Sequence, residues 1–290
     1  MNKYQLISDS SCDISLEKAK KLDIEIIPFS ISFDSKEYLA EHYDISIDEF
    51  YNKINSKKIY PKTSLPSVQT YYDVFEKHIK NEKEIICICL SHFLSGSYQS
   101  ANTAKNMILE KYPNSNIAII DSLSATLAQF LLVEQCAKLI KENIFFDVLV
   151  DIIETNRKNN NIFLAINNLD YLVAGGRVGK AASLASNLLN ISPILYLQEG
   201  ELLPLKKARG KAKSLNCIVD EAVNKFNIHK GNVKVAAIYA NHIEDAYHLR
   251  DEFAKRTGYP AEEIYLERLG ATICSHTGPE VSGIGIIKNL

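Results

Sequence analysis

The chain has 290 residues, 33 basic and 35 acidic side chains, a net charge of −2, and 46% apolar residues. That length can bury a large core and suits two domains, while the balanced charge argues against nucleic acid as a partner and against disorder. No apolar run reaches the roughly 18–20 residues of a membrane span, no signal-peptide core opens the chain, and the cysteines show neither disulfide nor zinc spacing, so a cytoplasmic protein without a metal is expected.

Residues 4–8 read as a strand and 15–22 as a helix. Asp9, Ser10, Ser11 and Asp13 then fall in a strand-to-helix loop, where open α/β sheets place ligand groups, although helix capping by Ser11 or Asp13 is the plainer use. Isoleucine-rich 24–33 reads as a second strand, with Pro28 suggesting an edge or irregular position. An amphipathic helix over 45–54 has Asp44 or Ser46 as its cap. The next helix, over 68–80, carries Tyr71, Val74, Phe75 and His78 on one side. Thr63, Ser64 and Ser67 bring hydroxyls to its start, and Pro66 prepares its first turn.

Residues 84–90 form a buried strand with Cys87 and Cys89 on one face. The loop S-H-F-L-S-G-S over 91–97 follows and runs into a helix in which Tyr98, Ala101, Met107 and Ile108 recur at helical spacing. Ser95, Gly96 and Ser97 therefore stand where unpaired N–H groups seat a small anion, or where a serine simply caps the helix. A strand over 116–120 leads to Asp121 and Ser122, another hydroxyl-bearing helix start. The helix behind it, with Leu127, Phe130, Leu131, Leu132 and Cys136, is apolar over much of its circumference, so it is buried or lines a cavity. A further amphipathic helix spans 146–156. The β/α alternation argues a parallel sheet with helices on both faces. Neither G-x-G-x-x-G nor G-x-x-x-x-G-K-[ST] occurs, which disfavours dinucleotide and P-loop nucleotide binding.

Polar residues 157–161 mark a domain boundary, giving domains over 1–160 and 161–290. A strand over 162–166 precedes Gly175 and Gly176, which permit positive φ and close backbone approach, and then Arg177. An Ala/Ser-rich helix is read over 180–189. Strands over 191–197 and 201–207 flank a hairpin turn. Arg209 stands out of a basic cluster because it lies where a strand hands over to a helix read at 218–226. A strand over 233–240, a helix over 244–256 and a last strand over 283–287 complete the chain. His276, between Ser275 and Thr277, is placed in a turn, where function concentrates.

These islands occur together in a known order: Asp9, Ser10 and Asp13; Lys62, Thr63, Ser64 and Pro66; Leu94 to Tyr98; Asp121 and Ser122; Gly175, Gly176 and Arg177; Ala208 and Arg209; Ser275 to Gly278. In this the chain resembles, over essentially its whole length, the DegV family, bacterial fatty-acid-binding proteins that serve as the lipid-binding subunit of fatty acid kinase. The resemblance implies two α/β domains, an N-terminal mostly parallel sheet with helices on both faces and a C-terminal mixed sheet, with a long-chain fatty acid buried between them. It implies that Thr63, Ser95 and His276 hold the carboxylate, with Ser64, Gly96, Ser97, Asp9, Ser10, Ser122 and Arg209 in the vicinity of the head group. It further implies that Arg177 and Arg209 face a separate kinase subunit that makes an acyl phosphate for phospholipid synthesis, that a transient membrane-surface contact occurs, and that the chain is a carrier without catalytic residues. Ser97 stands where the family more often has threonine, and keeps the hydroxyl.

From the residues themselves, a buried carboxylate needs donors such as Thr63 and Ser95, and a protonated His276 would add charge. The acyl chain would supply affinity at roughly 0.8 kcal/mol per CH2, inside walls expected at 127–136 and 181–189. Two other functions are open. One is a serine hydrolase of acyl esters with Ser95 as nucleophile, His276 as base and Asp9 or Asp121 behind it, although the surroundings of Ser95 are not G-x-S-x-G. The other is a module for phosphate or sugar phosphate.

Overall fold

The computed structural model describes residues 3–57, 59–167, 169–185, 190–226, 228 and 232–290. The first half runs β1 (Tyr4–Asp9), α1 (Leu16–Lys21), β2 (Ile24–Ile27), β3 (Ser30–Ser32), β4 (Leu39–Ala40), α2 (Ile47–Ser56), β5 (Lys62–Ser64), α3 (Val68–Ile79), β6 (Glu84–Cys89), α4 (Ser97–Lys111), β7 (Ile117–Asp121), α5 (Thr126–Ile140) and α6 (Phe146–Asn156). β1, β6 and β7 are buried along their whole length, as parallel strands covered on both faces must be. The sheet is wholly parallel in the order β2-β1-β6-β7. Tyr71 and Phe75 of α3 and Ala101 and Ile108 of α4 close on Ile7, Ile85, Cys87 and Cys89, so the two cysteines do share a face. The other face packs through Leu6, Ile86 and Ile88 against α1 and α5.

The segment 24–33, expected as one strand, is two strands in two sheets. Pro28 cannot continue the ladder as a donor. β2 ends before it as the edge of the parallel sheet, and β3 begins after it as the centre of a small antiparallel sheet, β4-β3-β5. That sheet claims Thr63, which pairs with Ile31. Thr63 and Ser64 therefore lie on a strand and not at the start of α3, which Ser67 caps by accepting from the Thr70 N–H at 3.0 Å. Pro66 accordingly precedes the cap. Ser46 caps α2 reciprocally with Glu49. In α4, Met107 is exposed, and Ala104 takes part in the buried stripe instead.

The second half runs β8 (Asn160–Ala165), α7 (Asp170–Ala174), β9 (Ile191–Gln198), β10 (Glu201–Arg209), α8 (Lys211–Lys225), β11 (Val233–Tyr239), α9 (Ile243–Thr257), β12 (Tyr265–Arg268), α10 (Ala271–Thr277) and β13 (Ser282–Lys288). Its sheet is mixed, in the order β10-β9-β8-β13-β11-β12, with only β11 and β12 parallel. The β9–β10 hairpin turns at Glu199 and Gly200, whose φ values of +51° and +87° are those of a two-residue type I′ loop. α8 and α9 cover one face through Ile218, Phe253 and their neighbours.

The other face rests on α5, which is thus sandwiched between the two large sheets. Thirteen of its fifteen residues are buried. The approach is close: a Cβ on Gly285 of β13 would lie 3.0 Å from that of Ala128, and Asn160 of β8 donates to the Ala128 carbonyl at 2.7 Å. Three expectations for this half need correction. β8 spans Asn160–Ala165, so it begins two residues before the strand read over 162–166. α8 starts at Lys211, not 218, because Gly210, at φ +87°, turns the chain directly from strand to helix. Residues Gly179–Leu184 form a 3-10 helix, not an α-helix, and 186–189 lie outside the described residues. Among the described residues no helix is long and apolar enough to cross a membrane.

Candidate functional site

In the parallel sheet the strand order reverses between β1 and β6, and the loops leaving their carboxyl ends open a crevice there. The loop after β6 carries Leu94 and Ser95 into it. The mixed sheet answers with Ile162 and Leu164 of β8, Leu197 of β9 and Leu202 of β10, and α10 adds Thr272, Ile273 and His276. The resulting cavity is walled mainly by aliphatic side chains, with Thr63, Ser95, Thr126, Arg177, Thr272, His276 and Thr277 as polar residues. The expected walls are therefore displaced. Of α5 only Thr126, next to Ala125, reaches the cavity, because the rest of the helix is core between the sheets, and none of residues 181–184 lines it.

The polar groups are held from both halves. Thr63 Oγ1 and His276 Nε2 lie 2.8 Å apart, although 213 residues separate them. His276 belongs to the last turn of α10, not to a turn after a strand. Its ring fits against Gly175, where any Cβ would collide with it, and Nδ1 is buried without a partner. Arg177 donates through Nε to the Leu94 carbonyl at 3.1 Å and through Nη1 to Gly175 at 2.6 Å, while Lys62 Nζ reaches the Ala174 carbonyl at 2.5 Å. Desolvation, and then the charges of Arg177 and Lys62, pull the His276 imidazole down to about 4. It is neutral at pH 7, so the positive charge expected of it comes instead from Arg177 and Lys62.

Other expected site residues are occupied within the protein. The buried Asp9 carboxylate accepts from the Ser11 hydroxyl at 2.5 Å, Gln129 Nε2 at 3.0 Å, the Leu90 N–H at 2.9 Å and the Ser97 hydroxyl at 2.8 Å. Burial raises its pKa and these donors oppose the rise. Ser10 donates to the buried carboxylate of Glu41 at 2.7 Å, and Ser122 donates to the Ser124 carbonyl at 3.1 Å. The hydroxyls of Ser10, Ser97 and Ser122 thus satisfy internal groups, as buried polar atoms must be satisfied. Ser95 differs: its Oγ accepts from the Ser97 N–H at 3.2 Å, which leaves its hydroxyl hydrogen to donate. Ser64 is exposed, Gly96 borders a separate cleft beside the cavity, and Arg209 is exposed at the far end of β10. From Leu202, which lines the cavity, to Arg209 is roughly 20 Å along the strand.

Sequence reasoning missed Ser91, whose hydroxyl donates to the Gly200 carbonyl at 2.7 Å and ties the hairpin to the loop of Ser95. It also missed Tyr71 and Gln129, which serve the Asp9 network. Only the unusual polar residue in the apolar run of α5 marked Gln129 out. A hydrolase would need Ser95 paired with His276 and an acid behind the ring. Here His276 is bonded to Thr63, Asp9 holds serines and Gln129, and Asp121 pairs with His92.

The fold and site define a class: an α/β protein with two large sheets whose halves close on a mainly aliphatic cavity with hydroxyl groups in its wall. The chain belongs to the DegV family, matching over residues 3–289 the family described as "Uncharacterised protein, DegV family". It is 31% identical over 280 residues to a DegV domain-containing protein of Clostridium perfringens, covering 96% of this chain and 95% of that one. It is similar to the crystal structure of a fatty acid (stearic acid)-binding protein from Eubacterium ventriosum, with 31% identity, a TM-score of 0.87, and 99% and 98% of the two chains covered. It is also similar to DegV, a fatty acid binding protein from Bacillus subtilis, with 26% identity, a TM-score of 0.84, and 99% and 100% covered.

Proposed function

We propose that this chain binds a long-chain fatty acid, its acyl tail in the aliphatic cavity and its carboxylate at Thr63 and Ser95. The observation that carries the reading is that Thr63, Ser95 and His276, from three distant segments, line one mainly aliphatic cavity, with Thr63 bonded to His276. The fatty-acid ligands of the similar proteins from E. ventriosum and B. subtilis support it. A carboxylate buried there keeps its charge only with donors. The orphaned Nδ1 favours the tautomer with hydrogen on Nε2, since a buried lone pair costs less than a buried free N–H. Nε2–H then donates to Thr63, and the Thr63 and Ser95 hydroxyls both turn to the ligand.

The chain on this reading is a cytoplasmic carrier, not an enzyme, and it presents the carboxylate to a separate ATP-dependent kinase that forms the acyl phosphate. Exposed Arg209, distant from the cavity, suits a contact with that kinase, and uptake and delivery of lipid would involve transient contact with a membrane surface. Arg209→Ala is accordingly expected to lower kinase-coupled turnover while leaving fatty-acid affinity unchanged; equal loss of both would put Arg209 at the ligand. The ligand itself is tested by mass spectrometry of organic extracts of the purified protein. About one fatty acid per chain is expected, and a protein that carries none and takes up none when offered overturns the reading.

A further inference from the structure

One atom holds both ends of the loop that carries Ser95. Asp9 closes β1, and its Oδ2 accepts from the Leu90 N–H at 2.9 Å and from the Ser97 hydroxyl at 2.8 Å. Leu90 leads from β6 into the loop over 91–96, and Ser97 opens α4 behind it. The end of one strand therefore fastens the loop that leaves its neighbour, at the place where the strand order reverses. On the other side Oδ1 accepts from Gln129 Nε2 at 3.0 Å and from the Ser11 hydroxyl at 2.5 Å, so the carboxylate is held against turning.

From Asp9 the hydrogen bonds run toward the cavity in a fixed direction. An ionised carboxylate only accepts, so Ser97 gives it its hydroxyl hydrogen. Tyr71, whose hydroxyl lies 2.6 Å from Ser97 Oγ, is then the donor of that contact. With its side chain pinned from both sides, Ser97 aims its backbone N–H at Ser95 Oγ, 3.2 Å away. That N–H occupies a lone pair of Ser95 and leaves the hydroxyl hydrogen for the cavity. Asp9 and Ser97 are both buried, and neither lines the cavity. Stability alone does not call for such an arrangement, because a buried charge with its partners is often replaced by apolar side chains of similar volume without loss.

We propose that Asp9 is a positioning residue for lipid binding: through Ser97 it fixes the Ser95 hydroxyl in the orientation that donates to the carboxylate. The inference rests on the fatty-acid reading and adds to it a residue that never touches the ligand. Asp9 acts only through Ser97 and Ser95. Breaking the chain can therefore weaken binding no more than removing the Ser95 hydroxyl does, and it has no further effect once that hydroxyl is gone.

Stearate affinity and the urea midpoint are measured on lipid-stripped wild type, Asp9→Asn, Ser97→Ala and Ser97→Thr, each alone and combined with Ser95→Ala. Ser97→Ala keeps the backbone N–H but cuts its link to Asp9, and should weaken binding about tenfold, the worth of one hydrogen bond. Asp9→Asn keeps an oxygen for Leu90 and Ser97, but an uncharged one of about half the strength, and should weaken binding roughly threefold. Ser97→Thr retains the hydroxyl and should bind as the wild type does. Combined with Ser95→Ala, neither Asp9→Asn nor Ser97→Ala should weaken binding further, while their effects on the urea midpoint persist. A merely structural role would not give that difference, and the Ser97 variants show it even where Asp9→Asn does not fold. Losses of affinity that are the same with and without the Ser95 hydroxyl, or variants that all bind like the wild type, overturn the inference and leave the carrier reading standing. A wild type that binds no stearate removes both.

Discussion

Thr63 and Ser95 are ordinary hydroxyls made unusual by position: both line a mainly aliphatic cavity, and Thr63 is bonded to a neutral imidazole. Each would give the carboxylate one hydrogen bond to a charged group, about 1.5–3 kcal/mol. Thr63→Val and Ser95→Ala are therefore each expected to weaken fatty-acid binding roughly 10- to 100-fold, read by displacement of a fluorescent fatty acid. His276 sets a pH dependence whose sign follows from its depressed pKa. Between pH 6.5 and about 4 the unfolded chain takes up a proton that the folded chain refuses. Its contribution to stability is thus present above pH 6.5 and lost as the pH falls through that window. His276→Gln should flatten the urea midpoint over the window, and an unchanged slope would contradict the burial argument. Asp13 has the opposite sign. Burial, and then the neighbouring Glu41, raise its pKa well above the usual carboxyl value, so the ionised unfolded state is favoured at neutral pH. Asp13→Asn keeps the shape and suits the left-handed φ of +55°, and it should raise the neutral-pH midpoint. The residue types at this scale were legible in the sequence, since hydroxyls cluster visibly after strands. Their partners were not. Ser97 serves Asp9, 88 residues away, and no local pattern separates it from Ser95, two positions earlier, which faces the cavity.

Two elements decide where the cavity lies. α5 fills the space between the sheets, and its apolar circumference announced burial without saying against what. Helix periodicity reports how many sides are covered, and the covering sheets come from opposite ends of the chain. The other element is the β9–β10 hairpin, whose turn the Ser91 hydroxyl fastens to the loop of Ser95. A Cβ on Gly200 would stand 2.5 Å from Ser91 Oγ, and the residue has φ of +87°. Gly200→Ala should cost about 1–3 kcal/mol in chemical denaturation and weaken lipid binding as the tie loosens; no change in either would show that the tie does not matter. The hairpin was readable from its turn residues. β5 was not, because its three residues lack any period and become a strand only by pairing with β3. Pro28 marks an irregular edge in the sequence, which holds for β2, but only tertiary pairing makes the chain change sheet there.

At the scale of the molecule, a single apolar cluster runs from Leu6 and Ile88 of the parallel sheet through α5 to Leu164 and Ile238 of the mixed one. The β/α alternation made the first sheet foreseeable. Most of the second pairs strands distant in sequence, and only its hairpin is local. With the core shared, the two halves should unfold in one cooperative transition, and bound lipid at 100 times its Kd should add about 2.7 kcal/mol. Two separate transitions in calorimetry would contradict the shared core. The most direct measurement of the central claim is carbon-13 NMR of the protein loaded with carboxyl-labelled stearate, in wild type, Thr63→Val and Ser95→Ala. A single bound carboxylate resonance that shifts in both variants is the expected result; a bound resonance indifferent to both substitutions would place the head group elsewhere and contradict the account.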